Sequence, residues 1–298
     1  MRYINYNNIK LSKLSLGTVQ FGLEYGIANK DGKPTYDEVN NIVDYLYKNG
    51  INCFDTAQDY GESQKILANA TKDKDIHIIS KISSDNFIDD LKQNIDLSLK
   101  DLKKDRLFGL LLHDSKLLSS WDTKYNIYIK DLKKEQKIDY FGVSIYTDQE
   151  FCLALENDII QIIQIPFSIF DQRAINLHWL EKAKKKNKLL IIRSVFLQGL
   201  LLMDTDKIPT KLSCAKHYLE QLDLLSKEFQ IDKNSLALNF VDTIAKDSLL
   251  LFGCETINQA QDNLHIYKSL KPLDNTIIDK LQVFFGNIEE SIYNPTRW

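Results

Sequence analysis

Asp55, Tyr60, Lys81 and His113 are the residues whose types and positions best suit proton transfer to an oxyanion. Asp55, Lys81 and His113 each close a short, largely apolar run, and Tyr60 stands in the segment just after Asp55. Hydride delivery to a carbonyl carbon leaves an alkoxide that must take a proton from a general acid within hydrogen-bond reach. Tyrosine is a weak acid, with an ordinary pKa of about 10. A lysine cation beside it favours the phenolate, and an adjacent carboxylate keeps that lysine charged and aimed. A histidine can donate to the carbonyl oxygen and fix its orientation. Each residue alone has a plainer reading: an acid capping a loop, a solvated lysine, a satisfied core histidine, a packed tyrosine. Convergence on one rim favours chemistry, because perturbed titratable clusters concentrate at functional sites.

Such convergence needs elements that hold the four together. Short runs rich in β-formers are expected as strands at Leu14–Thr18, Ile51–Asp55, Ile76–Lys81, Leu107–His113, Tyr140–Ser144, Ile160–Gln164, Leu189–Ser194 and Leu249–Gly253. They are apolar on both faces, as in a covered parallel sheet. Between them, Val39, Ile42, Val43, Leu46 and Tyr47 keep the spacing of one buried helix face, with Thr35 and Glu38 forming a capping box. Thr256 and Gln259 offer a second box after the last strand. Further helices are expected at Ser63–Ala70, Asn86–Lys103, Thr123–Gln136, Asp148–Asn157, Ile175–Asn187, Cys214–Phe229 and Lys233–Ala245.

Eightfold alternation of strand and helix argues for an α/β fold of the (β/α)8 TIM-barrel type over an open sheet. No Gly-x-Gly-x-x-Gly follows the first strand, which weakens a Rossmann alternative. Met1–Lys13 reads as a β-hairpin plugging the barrel's bottom, and Gly286–Trp298 as a polar tail that either drapes over the top or is disordered. Without a Gly- or Pro-rich linker, residues 1–298 are expected to form one domain. In such barrels the site lies at the C-terminal strand ends, where Asp55, Lys81 and His113 stand.

With these residues in place, Asp55-Thr56-Ala57 … Tyr60-Gly61, then Lys81, then His113 resembles the catalytic tetrad of the aldo-keto reductases. The likeness runs nearly the whole length, through Leu16-Gly17-Thr18, Gly142-Val143-Ser144, Gln164, Arg193-Ser194, Gln198-Gly199-Leu200 and Gly253 … Thr256 … Asn263. The resemblance implies Tyr60 as proton donor, Lys81 and Asp55 tuning it, and His113 orienting the substrate. It implies NADP(H) or NAD(H) as cofactor, with Ser144 and Gln164 on the nicotinamide amide and Thr18, Arg193, Gly253, Thr256 and Asn263 among its contacts. The adenosine phosphate would then meet the helix N-terminus after the last strand.

Three departures stand out. Ile145 follows Ser144 where the family usually has asparagine, and Arg193 stands where an aromatic ring commonly stacks on the nicotinamide. Gly253–Asn263 carries no Arg or Lys, while Glu255 and Asp262 are acidic. Weak discrimination is therefore expected, with NADPH favoured over NADH by less than about 100-fold.

Composition is that of an ordinary globular chain, 44% apolar and 27% charged over 298 residues. A net charge of −3 and the lack of a nucleic-acid module argue against nucleic acid as partner. No run reaches the length of a membrane span, and the N-terminus lacks a signal peptide's apolar core. Scattered Cys53, Cys152, Cys214 and Cys254 suit reduced thiols packed among apolar neighbours, in a cytoplasmic protein, better than disulfides, zinc or a catalytic cysteine. A small carbonyl or alcohol is the expected partner. Gln20-Phe21-Gly22 and Gln198-Gly199-Leu200 resemble accessory enzymes of sugar or surface-polysaccharide pathways, which implies a sugar-like substrate. Specificity is expected from the loops Phe21–Pro34, Asp114–Asp122 and Gly199–Leu212 and from the tail. Two other readings stay open: a cofactor-binding regulatory or assembly subunit, and a Schiff-base lyase with Lys81 as nucleophile.

Overall fold

A computed structural model describes residues 1–298. Two antiparallel strands, β1 (Tyr3–Tyr6) and β2 (Ile9–Ser12), precede eight parallel ones. These are β3 (Leu14–Gly17), β4 (Cys53–Asp55), β5 (His77–Ile82), β6 (Leu107–Leu112), β7 (Ile138–Ser144), β8 (Ile162–Pro166), β9 (Leu189–Arg193) and β10 (Leu249–Phe252). The eight close in sequence order, with β10 pairing β3. The chain is a (β/α)8 barrel with helices around it, as the alternation of apolar runs and amphipathic stretches led one to expect.

The strand period of two explains how the barrel sorts its residues. Lower positions such as Cys53, Ile79, Tyr140, Ile162, Ile191 and Leu249 join one apolar cluster inside the barrel. Two residues further along four of the strands come Asp55, Lys81, Gln164 and Arg193; Asp55, Gln164 and Arg193 line one upper cavity, and Lys81 is ion-paired to Asp55 behind its wall. The same alternation thus gives a dry floor and a polar mouth. Gly109 and Gly142 leave the space into which Ile162 packs.

Helices cannot cover the floor from below, and the hairpin does. Its turn, Asn7-Asn8, has both φ values positive (47° and 69°), as a tight two-residue hairpin turn requires. Tyr6 and Leu11 join the inner cluster. The Tyr6 hydroxyl donates to the Gln161 and Asn187 carbonyls at 3.2 and 3.3 Å. At the hairpin's exit, buried Lys13 pairs with buried Asp242 at 2.9 Å, and Arg2 adds a second contact to Asp242 at 2.7 Å.

Several outer elements differ from expectation. The stretch Ile175–Asn187 is two helices, Arg173–Asn176 and Trp179–Lys185, broken where His178 takes a left-handed φ of 57°. Cys214 lies in a 3-10 segment (Thr210–Ala215), and the α-helix begins only at Lys216. A helix over Asn275–Phe285 went unrecognised in the sequence. The tail is ordered: Glu290–Tyr293 and Pro295–Arg297 form helical turns, and the Arg173 guanidinium sits 4.5 Å above the Tyr293 ring. All four cysteines are unpaired, but Cys152 and Cys214 are exposed, because each falls on an outward helical position. Only Cys53 and Cys254 are packed inside as expected. No helix is long and apolar enough to cross a membrane.

Candidate active site

β4 delivers Asp55, and the chain then turns without leaving its neighbour. The Thr56 amide donates to the Ile79 carbonyl (2.9 Å) and the Gln58 amide to the Lys81 carbonyl (3.1 Å), so the loop extends the β4–β5 ladder upward. The Gln58 side chain donates to the Asn94 carbonyl and to Ser98, tying this loop to the helix Ser84–Leu102. Tyr60 is thus held over the end of β5, where Lys81 points inward.

The four candidate residues meet. Lys81 forms a buried ion pair with Asp55 and donates to the Thr56 carbonyl at 3.0 Å. Its Nζ lies 3.5 Å from the Tyr60 hydroxyl oxygen. The Tyr60 and His113 rings meet edge to face at 5.3 Å, and His113 continues the β5–β6 ladder through its amide (2.7 Å to Ile82 O). The other Asp55 oxygen accepts from Gln164 Nε2 at 2.9 Å. Asp55, Tyr60 and His113 line a cavity of about 520 Å³, together with Ser144, Gln164 and Arg193.

Burial dominates the electrostatics. It pulls the Lys81 pKa below the usual lysine value, and the Asp55 carboxylate pulls it back. It raises the Tyr60 phenol well above its ordinary value, and Asp55 raises it further. The Arg193 cation opposes this rise. The lowering of the phenol by lysine expected from the sequence is therefore outweighed, and Tyr60 keeps its proton at neutral pH. His113 is pushed below its usual value, first by burial and then by Lys81, with Asp59 working against both.

The same cavity reaches Gly253, Glu255, Gln259 and Asn263 beyond β10. Thr18 is on its wall too, but its hydroxyl donates to the Asp55 carbonyl at 3.0 Å and pairs with Ser63 at 2.8 Å. Arg193 stacks 4.0 Å above the Tyr146 ring and donates to the Ile145 carbonyl. Ile145 is itself fully buried, so at this position only the backbone serves the site. Thr256 caps the helix Ile257–Ser269 by accepting from the Gln259 amide (3.2 Å), while the Gln259 side chain accepts from the Glu255 amide (2.8 Å). Glu38 does not close a box at its own helix. Its carboxylate instead accepts from the Ile257 amide at 2.6 Å, taking up one of the donors at this helix start.

Two of the loops expected to set specificity reach the cavity, through Tyr25, Gly26, Ala28 and Asn29 and through Gly199 and Leu202. Neither Asp114–Asp122 nor the tail lines it: Asp114 is turned to Ser84, and the tail packs on Arg173. Asp59, Tyr146 and Gln20 were missed. Asp59 and Tyr146 sit in loops with no periodicity to fix their direction. For Gln20 the signal was Gly253, where a Cβ would lie 2.3 Å from the Gln20 side chain.

A barrel with this constellation at its C-terminal rim defines an oxidoreductase class, and the comparisons agree. The Aldo/keto reductase family model matches residues 13–283, so the chain belongs to the aldo/keto reductase family. It is 25% identical over 244 residues to the uncharacterized oxidoreductase YqkF of Bacillus subtilis (strain 168), covering 77% of this chain and 73% of that one. Among solved structures it is similar to the holo form of aldo-keto reductase AKR11C1 from Bacillus halodurans, with a TM-score of 0.77 at 19% identity, covering 100% and 99% of the two chains. It is also similar to MGS-M4, an aldo-keto reductase from a Medee basin deep-sea metagenome library, with a TM-score of 0.70 at 18% identity and 99% of each chain covered. At these identities the structural likeness speaks for the fold.

Proposed function

We propose that this chain is an NAD(P)H-dependent reductase or dehydrogenase that interconverts a small carbonyl compound and an alcohol, with Tyr60 as proton donor. The observation that carries this reading is the chain of contacts from Asp55 through Lys81 to the Tyr60 hydroxyl, 3.5 Å from Nζ, with Asp55, Tyr60 and His113 lining one cavity. The bound cofactor would supply the hydride. The cavity fits such a group on two counts: it extends from Tyr60 to Asn263, and the buried side-chain oxygens of Gln20 and Asn263 on its wall have no partner. Ser144, Gln164, Arg193 and the stretch Gly253–Asn263, with Thr256 at the helix start, are the residues that would hold it.

The remaining chemistry falls to the protein. Tyr60, protonated at neutral pH, supplies the proton that an alkoxide needs. Lys81, aimed by Asp55 and the Thr56 carbonyl, stabilises the phenolate left behind. The polar wall formed by Tyr25, Asn29 and Gln198 suits a sugar-like, hydroxylated substrate. A Schiff-base role for Lys81 is disfavoured, since an amine 1% exposed and ion-paired to Asp55 is neither accessible nor free to attack. The unpaired thiols fit work in the cytoplasm.

The test is nicotinamide fluorescence on mixing the protein with NADPH or NADH, followed by loss of the reduced cofactor when aldehydes and aldoses are added. Binding with turnover is expected. Binding without turnover across a broad panel would leave the regulatory reading standing, and absence of binding would sink the proposal.

A further inference from the structure

Of the five arginines, Arg2, Arg106, Arg173 and Arg297 each form an ion pair with a carboxylate. Arg193 does not. Its guanidinium donates to the Ile145 carbonyl at 3.0 Å and to the Ser194 hydroxyl at 3.3 Å, and it lies 4.0 Å above the Tyr146 ring. Tyr146 is fixed in turn, its amide donating to the Glu150 carboxylate and its carbonyl accepting from Arg173. Neutral groups thus hold the cation in place and leave its charge uncancelled.

That charge stands at one end of the cavity. Arg193 is the only lysine or arginine on the wall. Asp55 is there too, but it is paired with Lys81; the other acidic residues of the wall, Glu255 and Asp262, belong to the far end beyond β10. The barrel register puts Arg193 two positions above Ile191, the partner of Gln164, and Gln164 reaches Asp55. The Arg193 charge opposes the rise that burial imposes on the Tyr60 phenol, and it adds to the lowering that burial imposes on Lys81.

Carbonyl reduction adds hydride and proton to the two atoms of one C=O bond, so the redox ring has to work at the Tyr60 end. The hydride pair becomes the new C–H bond, and the C=O pair moves to oxygen and takes the Tyr60 proton. A nicotinamide that is neutral when reduced is left with one positive charge. We propose that Arg193 discriminates between the two redox states of the cofactor, accepting the neutral reduced ring and disfavouring the cationic oxidised one. Like charges at close range in a partly shielded cavity repel, and a neutral ring escapes that cost. The site therefore fills with NAD(P)H in preference to NAD(P)+ and gives up the oxidised form readily. By linkage, the bound cofactor is a weaker hydride donor than the free one to the same extent. The inference rests on the reductase reading for the identity of the ligand.

The test compares dissociation constants of NADPH, NADP+ and 2′-phospho-ADP-ribose, which keeps the phosphates and lacks the nicotinamide. Calorimetric titrations at one pH and ionic strength cover the wild type, Arg193→Gln and Arg193→Lys, with Arg193→Met as a second neutral variant should the glutamine one not fold. In the wild type NADPH is expected to bind about tenfold or more tightly than NADP+. Arg193→Gln is expected to shrink that ratio by about tenfold, chiefly by tightening NADP+, while 2′-phospho-ADP-ribose is unchanged and Arg193→Lys keeps the ratio. Equal weakening of all three ligands in Arg193→Gln would assign the guanidinium to the diphosphate, and no change in any of them would turn it to the substrate. Either result overturns the proposal. A wild type that binds none of the three counts against the reductase reading, whereas an unchanged ratio in Arg193→Gln counts against Arg193 alone.

Discussion

A methyl group on Gly22 would lie 1.7 Å from the carbonyl oxygen of Tyr60 and 2.8 Å from the amide nitrogen of Ser63. On the other side, Gly61 has a φ of +57°, and a Cβ there would lie 2.8 Å from the Gly22 carbonyl oxygen. Two backbones are pressed together, and neither can yield by rotating a side chain. Gly22→Ala is therefore expected to cost about 1–3 kcal/mol and to push the Tyr60 loop outward. A misplacement near 1 Å at a reacting group costs about 100-fold in rate. Denaturant midpoints and turnover measured together check this, and wild-type values for both would show that the contact is loose.

Tyr60→Phe removes the proton and keeps the ring. Turnover is expected to fall by roughly 10²- to 10⁴-fold, with cofactor affinity nearly unchanged. Lys81→Met should reduce turnover in the same way and flatten its pH profile. Near-normal turnover in Tyr60→Phe would end its assignment as donor.

Cofactor choice depends on the start of the helix after β10. Gly253–Asn263 lacks a cation, Glu255 lines the cavity, and Glu38 already takes the Ile257 amide. NADPH should therefore be favoured over NADH by less than about 100-fold, or under 3 kcal/mol. If the 2′-phosphate seats at this helix, Glu38→Gln should improve NADPH binding by about 1 kcal/mol, leaving NADH nearly constant. Paired fluorescence titrations at equal ionic strength measure both, and a thousandfold preference would reveal a cationic clamp elsewhere.

Stability should decline on mild acidification. Burial lowers the pKa of His77 as it does that of His113, with Asp75 and Asp139 opposing. The unfolded chain titrates near the usual histidine value of about 6.5. Below that pH the unfolded state binds more protons than the folded one, so the loss begins there and grows as pH falls toward the folded values. Carboxylates such as Asp114, held below their ordinary range by Ser84, lose their contribution only in stronger acid. A urea midpoint lower at pH 5.5 than at pH 8, with a smaller difference in His77→Gln, is the expected result. A flat profile across that interval would contradict it.

Lys13 and Asp242 tie the hairpin to the helix Lys233–Ile244, with side chains 6% and 4% exposed. Lys13→Met leaves a buried carboxylate with only the half-exposed Arg2, at a cost of about 3–5 kcal/mol. Adding Asp242→Leu should recover much of that loss. Because this pair joins the first residues to the last third of the chain, unfolding is expected as one cooperative transition. Two separable transitions would refute the one-domain reading.

The barrel and its rim were legible because periodicity and strand ends carry them. Asp55, Lys81 and His113 each close an apolar run, and a period of two leaves little choice about where they point. Glu38 was misread, because its spacing from Thr35 is right for a capping box while its carboxylate bonds to Ile257, more than 200 positions away along the chain. The break at His178 and the helix Asn275–Phe285 were likewise invisible: one depends on a single left-handed residue, the other on a face that packs only once the barrel exists. Asp59 was missed since nothing local marks a loop carboxylate that serves a histidine on the next-but-one strand.

The hairpin under the barrel has one more consequence. Tyr6 and Leu11 extend the apolar cluster that fills the lower barrel, so ligands of the upper cavity are expected to enter and leave by the C-terminal rim. If a cofactor seats deeper there than the substrate, it is expected to arrive first and leave last, which product-inhibition patterns would reveal.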